Sequence, residues 1–385
     1  MSILQWFFRT AWKECASAAR FLQFPPSARK IVFYAEGRKD YPCWGDLIQA
    51  LLTHSDLMVF YLTSDPEDPI LATTNERIRP FYLKHLLPWV LSSLEANVLV
   101  MTMPDLHRYT LRRSRRVAHH LYLFHALCST HMIYRFGAFD HYDTIFCAGP
   151  HQMEEIRRAE SLYGLKPKQL VKVGYPRLDQ LIRNHPNGRS PSHPGGQKIL
   201  IAPSWGRANI LETCVEVLAE TLAQNGFQIV VRPHPESVKR HPRRISELAR
   251  RFSAEGLIEL ELDPLRERSL HEAEVLITDW SGIALEYAFA TERPVLFIDV
   301  PPKINNPRYA ELGIVPLEVR LRSVIGETIA PEALRTAPEM ARSLIQNRAA
   351  YRERILNARQ ESTFHLSRSG EVGARVILDL LHESS

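Results

Sequence analysis

The segment EVLITDWSGIALEYAFATERPVLFI, residues 274–298, decides the class of fold. It has the pattern of a buried strand, a polar turn with Ser281 and Gly282, a helix, a proline and a second buried strand. Two strands joined through a helix form a parallel pair, because a parallel connection needs a crossover of about a dozen or more residues. The segment therefore predicts a parallel sheet covered by helices.

The same alternation recurs in two series, which predict two doubly wound, Rossmann-like α/β domains facing a cleft. Strands are expected at 31–35, 58–62, 97–101, 121–125 and 171–174, and again at 198–202, 227–231, 257–261, 274–278 and 294–298. The run NHPNGRSPSHPGGQ between them is typical of a linker. We predict an N-terminal amphipathic helix over 1–29, an acceptor-side domain over 30–183, the linker over 184–197, a donor-nucleotide domain over 198–330 and helices over 331–385 that cross back to the first domain.

Composition excludes several classes of protein. The 385 residues are 45% hydrophobic and 24% charged, which is typical of a folded globular chain. A net charge of +5 is too small to indicate a nucleic-acid partner. The five cysteines contain no CxxC pair, which argues against a disulfide framework and a structural zinc and favours a reducing, cytoplasmic compartment.

The first residues predict an amphipathic helix with an aromatic side and a basic side. At helical spacing one side carries Leu4, Phe8, Trp12, Cys15, Ala19 and Leu22, and another carries Arg9, Lys13 and Arg20. Such a helix suits attachment to the cytoplasmic face of the inner membrane, and removal of residues 1–24 is then expected to leave the fold intact. The alternative is a helix packed on its own domain or on a partner.

Three turns at predicted strand ends are candidates for binding a phosphorylated donor. In the first, Asp279 ends a strand and Ser281 caps the following helix, whose free N–H groups near Gly282 attract phosphate, while Glu286 is placed to bind a hydroxyl group. The second, RPHP at 232–235, offers Arg232 and a His234 held between prolines as cations; the third, APSWGR at 202–207, offers Ser204 and Arg207. Capped or proline-bounded surface turns are the alternative for each.

The first domain offers a candidate general base. His125 closes a predicted strand, and a cleft histidine suits removal of a proton from an acceptor hydroxyl, although histidines of this kind are also common in cores. Nearby, His131, Arg135 and the basic run 107–120 are candidates for attracting an anionic acceptor, or else form a solvated face. We find no carboxylate cluster with metal-ligand spacing and predict no cofactor.

Together these boxes resemble the CDP-glycerol:glycerophosphate glycerophosphotransferase family, the teichoic-acid primases and polymerases. The resemblance rests on His125 after a first-domain strand, GYPRLD at 174–179, APSWG at 202–206, RPHP at 232–235 and TDWSG at 278–282. It implies a GT-B fold, a base at His125, and a donor diphosphate held by His234, Ser281 and Gly282. The GYPRLD box, with Arg177 and Asp179, is expected at the domain junction. One departure follows His125, where the family's Gly-Thr-Pro is replaced by Ala-Leu-Cys.

The resemblance implies transfer of glycerol phosphate, or a similar alditol phosphate, from a CDP-linked donor to a hydroxyl of a lipid-linked or cell-surface glycan acceptor, with release of CMP. Two alternatives stay open. One is a GT-B nucleotide-sugar glycosyltransferase or non-hydrolysing nucleotide-sugar epimerase. The other is a catalytically silent nucleotide-binding or membrane-scaffold protein.

Overall fold

The computed structural model describes residues 3–185, 196–253, 256, 258–263 and 265–383, with side chains from residue 10 onward. The chain divides into two compact units. Unit 1 comprises Met1–His125, Tyr134–Gln180 and Thr363–Ser385, and unit 2 comprises Ala126–Ile133 and Leu181–Ser362. These units differ from the predicted ranges in that residues 126–133 belong to unit 2 and only the part of the tail after residue 362 belongs to unit 1. Most of the predicted linker, 186–195, lies outside the described residues.

Unit 1 is built on a parallel sheet of seven strands in the order β3-β2-β1-β4-β5-β6-β7. Its strands are β1 Ile31–Ala35, β2 Val59–Thr63, β3 Ile78–Tyr82, β4 Ala96–Met101, β5 Val117–Leu123, β6 Thr144–Cys147 and β7 Gln169–Lys172. Its helices are α1 Ile3–Gln23, α2 Gly45–His54, α3 Leu87–Ser92 and α4 Pro150–Tyr163, and α5 Pro176–Asn184 carries the chain into unit 2. The sheet order reverses direction between β1 and β4, which is the switch point of a doubly wound fold.

Unit 2 has a parallel sheet of six strands in the order β10-β9-β8-β11-β12-β13, with its switch point between β8 and β11. Its strands are β8 Lys198–Ile201, β9 Gln228–Val231, β10 Ile258–Leu260, β11 Val275–Thr278, β12 Val295–Ile298 and β13 Gly326–Ile329. Its helices are α6 Ile210–Thr213, α7 Val215–Gln224, α8 Pro235–Arg240, α9 Pro242–Ser253, α10 Arg268–Glu272, α11 Ile283–Thr291, α12 Leu317–Ile325, α13 Ala337–Gln346 and α14 Arg348–Ser362; α15 Ser369–Glu383 returns to unit 1. The predicted fold class, two doubly wound parallel-sheet domains, is confirmed.

The N-terminal helix α1 is part of the core of unit 1. Phe21 has no exposed surface and makes edge contacts with Phe60 and Phe81 of the sheet, at ring-centre distances of 6.1 and 5.3 Å. The carboxylate of Glu14 accepts the N–H groups of residues 84 and 86 at 2.6 and 2.7 Å. Because α1 covers this face, the expectation that residues 1–24 are dispensable for folding is wrong.

The side of α1 predicted to be apolar faces solvent instead. Trp12 is 77% exposed, and Cys15, Ala19 and Leu22 are also exposed, while the side chains of residues 4 and 8 lie outside the described ones. The helix therefore buries one stripe and leaves its predicted apolar stripe uncovered. No helix in the described part of the chain is long and apolar enough to span a membrane.

The last helix, α15, completes the core of unit 1. Ile377 and Leu380 belong to the same buried cluster as Phe33 and Leu47, on β1 and α2. A Cβ atom at Gly370 would lie 2.9 Å from the backbone carbonyl carbon of Asp46 in α2, so the close approach of the two helices favours glycine at this position.

Candidate active site

The loops at the switch point of unit 2 are tied together by one carboxylate. Asp279 follows β11, is 1% exposed and accepts the backbone N–H groups of Ser204, Ile210 and Trp280 at 2.8, 2.9 and 2.7 Å. A carboxylate occupied in this way is a positioning group, because a donor hydroxyl has no access to it. The predicted contact of Asp279 with the donor is therefore replaced by a role in holding the loops after β8 and β11.

The start of α11 presents free donors. Gly282 is the N-cap residue, and no side chain caps the helix, so the cap predicted at Ser281 does not form. Within the described residues, the N–H groups of Ser281 and Gly282 donate to no acceptor, and both residues are partly exposed. A helix start with unpaired N–H groups and the positive end of the helix dipole favours an anion.

Gly282 also makes room for another loop of unit 2. A Cβ atom at this position would lie 3.0 Å from Sγ of Cys128 and 3.6 Å from Cβ of Ala126. Its φ of −59° is helical, so its backbone conformation does not require glycine. The segment that follows His125 in the chain thus packs directly on the start of α11.

His234 and Trp205 lie together beside these loops. The Nδ1 atom of His234 accepts the N–H of Glu236 at 3.1 Å and caps α8. This bond requires a lone pair on Nδ1, so the imidazole is neutral with its proton on Nε2 rather than the cation predicted from sequence. Its ring centre lies 6.0 Å from that of Trp205.

Two basic side chains also lie close to the Trp205 ring. The Nζ atom of Lys303 lies 4.2 Å from the ring centre, and Cζ of Arg240 lies 5.1 Å from it. Sequence analysis did not single out Lys303. The signal was available, since Lys303 lies five residues beyond the end of β12, in a loop at a strand's carboxyl end.

The remaining donor-side candidates of unit 2 differ in exposure: Arg232 pairs with a buried carboxylate, whereas Arg207 and Glu286 reach solvent. Arg232 contacts the buried carboxylate of Glu261 at 3.6 Å, and that carboxylate also accepts the hydroxyl of Ser269. Arg232 therefore has a structural partner, and its contact with the diphosphate stays a prediction. Arg207 is exposed and makes no ion pair within the described chain, and Glu286 is partly exposed on α11.

In unit 1, His125 lies two residues beyond the end of β5 and is exposed. Its Nδ1 atom lies 3.1 Å from the carbonyl oxygen of Thr102, which follows β4. A carbonyl only accepts, so Nδ1 carries the proton, and in the neutral imidazole Nε2 then has the lone pair that a general base needs. The hydroxyl of Tyr175 donates to the carbonyl of His125 at 2.8 Å and fixes its backbone.

The GYPRLD box, which contains Tyr175, also holds the returning tail within unit 1. Gly174 has φ +100°, and a Cβ there would lie 2.3 Å from the carbonyl oxygen of Phe364. Asp179 accepts the N–H groups of Ser367 and Ser369 at 2.6 and 2.9 Å. The box ends beside Gln180, where unit 1 gives way to unit 2.

The two acceptor-side candidates belong to different units. His131 is buried in unit 2, with its Nε2 atom 3.1 Å from the carbonyl oxygen of Ile314. Arg135 is an exposed residue of unit 1 that donates to the hydroxyl of Tyr109 at 2.8 Å. A buried imidazole bonded to a carbonyl is a poor base, so His131 is better explained as a structural residue. Across the described ranges, no group of three or more His, Cys, Asp or Glu side chains is arranged to hold a metal ion.

Solved structures share this fold over nearly the whole chain. A TagF wall teichoic acid polymerase variant soaked with CDPG is 12% identical, with a TM-score of 0.59 and 98% of both chains covered. A putative UDP-N-acetylglucosamine 2-epimerase from Listeria monocytogenes is 13% identical, with a TM-score of 0.57 over 93% of this chain and 97% of its own. S. aureus MnaA with UDP is 14% identical, with a TM-score of 0.56 over 89% and 94%. At these identities the likeness shows the fold alone.

A family model separates the alternatives that the fold leaves open. A search of curated protein sequences gives no match. The model described as CDP-glycerol:poly(glycerophosphate) glycerophosphotransferase matches residues 17–300, which is more than half of the chain and includes every box quoted above. The resemblance inferred from the sequence and the transferase class are thereby confirmed. The chain belongs to the CDP-glycerol:poly(glycerophosphate) glycerophosphotransferase family.

Proposed function

We propose that the chain transfers glycerol phosphate, or a similar alditol phosphate, from a CDP-linked donor to a hydroxyl group of a lipid-linked or glycan acceptor. The acceptor oxygen forms a bond to the alditol-bearing phosphorus while the bond from that phosphorus to the bridging oxygen breaks. The bridging oxygen keeps the electron pair and leaves with CMP, and the proton of the acceptor hydroxyl passes to a base.

The geometry of His125 carries this proposal. Its Nδ1–H donates to the carbonyl of Thr102, which orients the ring and leaves Nε2 as the proton acceptor. A second bond, from Tyr175, holds the backbone of His125 in place. An exposed, oriented and neutral imidazole contributes roughly 100- to 10,000-fold to transfer from a hydroxyl group.

The donor groups lie in unit 2. The free N–H groups of Ser281 and Gly282, the Nε2–H of His234 and the exposed guanidinium of Arg207 all suit phosphate oxygens. Such fixed donors stabilise the charge that develops on the leaving phosphate. We therefore propose a reaction without a resident metal or organic cofactor.

We further propose that the enzyme works at the cytoplasmic face of the inner membrane. The uncovered side of α1 carries the exposed Trp12, and Lys13 and Arg20 lie beside it. These residues border a groove of about 830 Å³ between α1 and β3, which Arg79 and Phe81 also line. Aromatic groups beside cations suit a layer of anionic lipid headgroups.

A donor panel tests the reaction. The purified chain is incubated with a lipid-linked glycan acceptor and with CDP-glycerol, CDP-ribitol or UDP-N-acetylglucosamine, with and without EDTA, and the nucleotide released is identified. We expect CMP from a CDP-alditol and no effect of EDTA. UDP formation, with none from CDP-alditols, would support a nucleotide-sugar glycosyltransferase; conversion of the bound sugar without nucleotide release would support an epimerase. The absence of both reactions would support a silent binding protein.

Two single variants test the roles of the histidines. His125→Ala should lower turnover by roughly 100- to 10,000-fold and leave donor affinity near the wild-type value. His234→Ala should weaken donor binding as well as turnover, because its Nε2–H is proposed to contact the donor before and during transfer. A calorimetric titration with the donor separates the two. Near-normal turnover in His125→Ala would contradict the assignment of the base.

A further inference from the structure

Lys303 is a cation without a counterion. It lies in the loop after β12, is partly buried, and holds its Nζ atom 4.2 Å from the ring centre of Trp205. Within the described residues its ammonium group makes no hydrogen bond or ion pair. A partly buried ammonium group normally has an anionic or hydrogen-bonded partner, so its place over an aromatic ring suggests that the partner is a ligand.

The charges around Lys303 are consistent with a ligand as the partner of its ammonium group. Burial lowers the pKa of Lys303 to about 8, and the nearby Cys128, Asp279 and Glu236 act in the opposite direction. Neither carboxylate forms an ion pair with it, within the described residues. Asp279 is occupied by three backbone N–H groups, and Glu236 pairs with Arg240 at 2.9 Å.

The same neighbours place Lys303 near the start of α11. Asp279 is two residues before Ser281, and Cys128 lies against Gly282. Asp279 and Cys128 thus flank Ser281 and Gly282, whose N–H groups are free at the start of the helix. The ring of Trp205, which carries Lys303, also faces His234. The ammonium group, the free N–H groups and an imidazole Nε2–H thus all lie on loops at the carboxyl edge of the unit 2 sheet.

We infer that Lys303 is a donor-binding residue whose ammonium group pairs with the diphosphate of the nucleotide, with Trp205 holding the side chain in place before the ligand arrives. This inference rests on the proposed function for the identity of the nucleotide but not for the diphosphate contact itself. The charged groups that act on Lys303 are the neighbours named above, together with Arg240 on the same ring. A bound diphosphate adds negative charge, so binding should be accompanied by proton uptake near pH 8.

The first test measures affinity with the full-length protein. Inorganic pyrophosphate, CDP and cytidine are titrated into wild type, Lys303→Met, Lys303→Arg and the control Lys239→Met, which alters an exposed lysine of α8. Lys303→Met should weaken the binding of pyrophosphate and CDP by about 10- to 100-fold, the effect of losing one charged contact. The affinity for cytidine should not change. Lys303→Arg should recover part of the loss, and Lys239→Met should bind like wild type.

The second test needs no variant. Acetic anhydride is applied to wild type at pH 8 in sub-stoichiometric amounts, and acetylated lysines are quantified by mass spectrometry with and without pyrophosphate. We expect pyrophosphate to protect Lys303 and not Lys239. Equal acetylation of Lys303 in both samples, or equal pyrophosphate affinity in wild type and Lys303→Met, would overturn the inference. A donor other than a CDP-alditol would overturn the proposed function alone, since pyrophosphate carries no base or alditol.

Discussion

Replacing Gly282 by alanine tests why a glycine stands at the start of α11. The new Cβ would lie 3.0 Å from Sγ of Cys128, whereas packed heavy atoms usually stay about 3.5–4.0 Å apart. One of the two segments must therefore shift by about half an ångström. The φ of −59° suits alanine, so the cost is steric. Crowding of this kind in a packed site destabilises by about 1–3 kcal/mol, and we expect about 1–2 kcal/mol here because only one contact is short.

Urea unfolding of the wild type, Gly282→Ala, Cys128→Ala and the double variant measures this cost as a coupling energy. In the Cys128→Ala background the short contact is gone, so Gly282→Ala should cost close to zero. Ligand binding at the helix start does not enter the measurement, since no nucleotide is present. An equal cost of Gly282→Ala in both backgrounds would refute the packing argument, and the requirement for glycine would then lie with the donor.

Three further predictions concern unit 1, α1 and the end of α5. Asp179→Asn should destabilise by about 1.5–3 kcal/mol and speed proteolysis after residue 362, because an amide cannot accept both N–H groups of the tail; Asp379→Asn, exposed on α15, is the control. Trp12→Ala should reduce sedimentation with anionic vesicles at unchanged thermal stability, whereas Phe21→Ala should cost about 3–5 kcal/mol. Burial lowers the pKa of His185 from 6.5 to about 4, so the unfolded chain binds the proton more readily; stability should fall as the pH is lowered from 6.5 to 4, and His185→Gln should flatten that slope in urea titrations.

The parallel sheets were predictable because most of their strands are continuous apolar runs. Three strands were missed: β6 is a buried run of only four residues, whereas β3 and β13 lack a continuous apolar run. β3 contains Pro80 and is tolerated as a strand because it lies at the sheet edge. β13 begins with Gly326 and is polar at its centre, yet Gly326 is required there, since a Cβ would lie 1.7 Å from the carbonyl oxygen of Val295. A pattern of hydrophobic residues does not reveal where two backbone segments approach this closely.

The site was predictable at the level of loops and less so at the level of atoms. The boxes around His125, His234 and Ser281 follow strands, and parallel strands bring such loops to one edge of a sheet. The positioning role of Asp279 and the ion pair of Arg232 were not foreseen because their partners, backbone N–H groups and Glu261, are remote in sequence. Periodicity likewise predicted that α1 is amphipathic but did not predict which of its sides is buried. The buried side includes the charged Glu14, whose carboxylate is satisfied by the N–H groups of residues 84 and 86, just after β3.

The return of α15 to unit 1 determines when that unit can finish folding during synthesis. The sheet and α2 emerge early from the ribosome, but Leu47 and Phe33 share their core with Ile377 and Leu380, which are translated about 330 residues later. Unit 2, which ends at Ser362, has all its residues before α15 appears. The half of the protein that is made first is thus completed last, and for most of translation it exposes an apolar surface of the kind that chaperones bind.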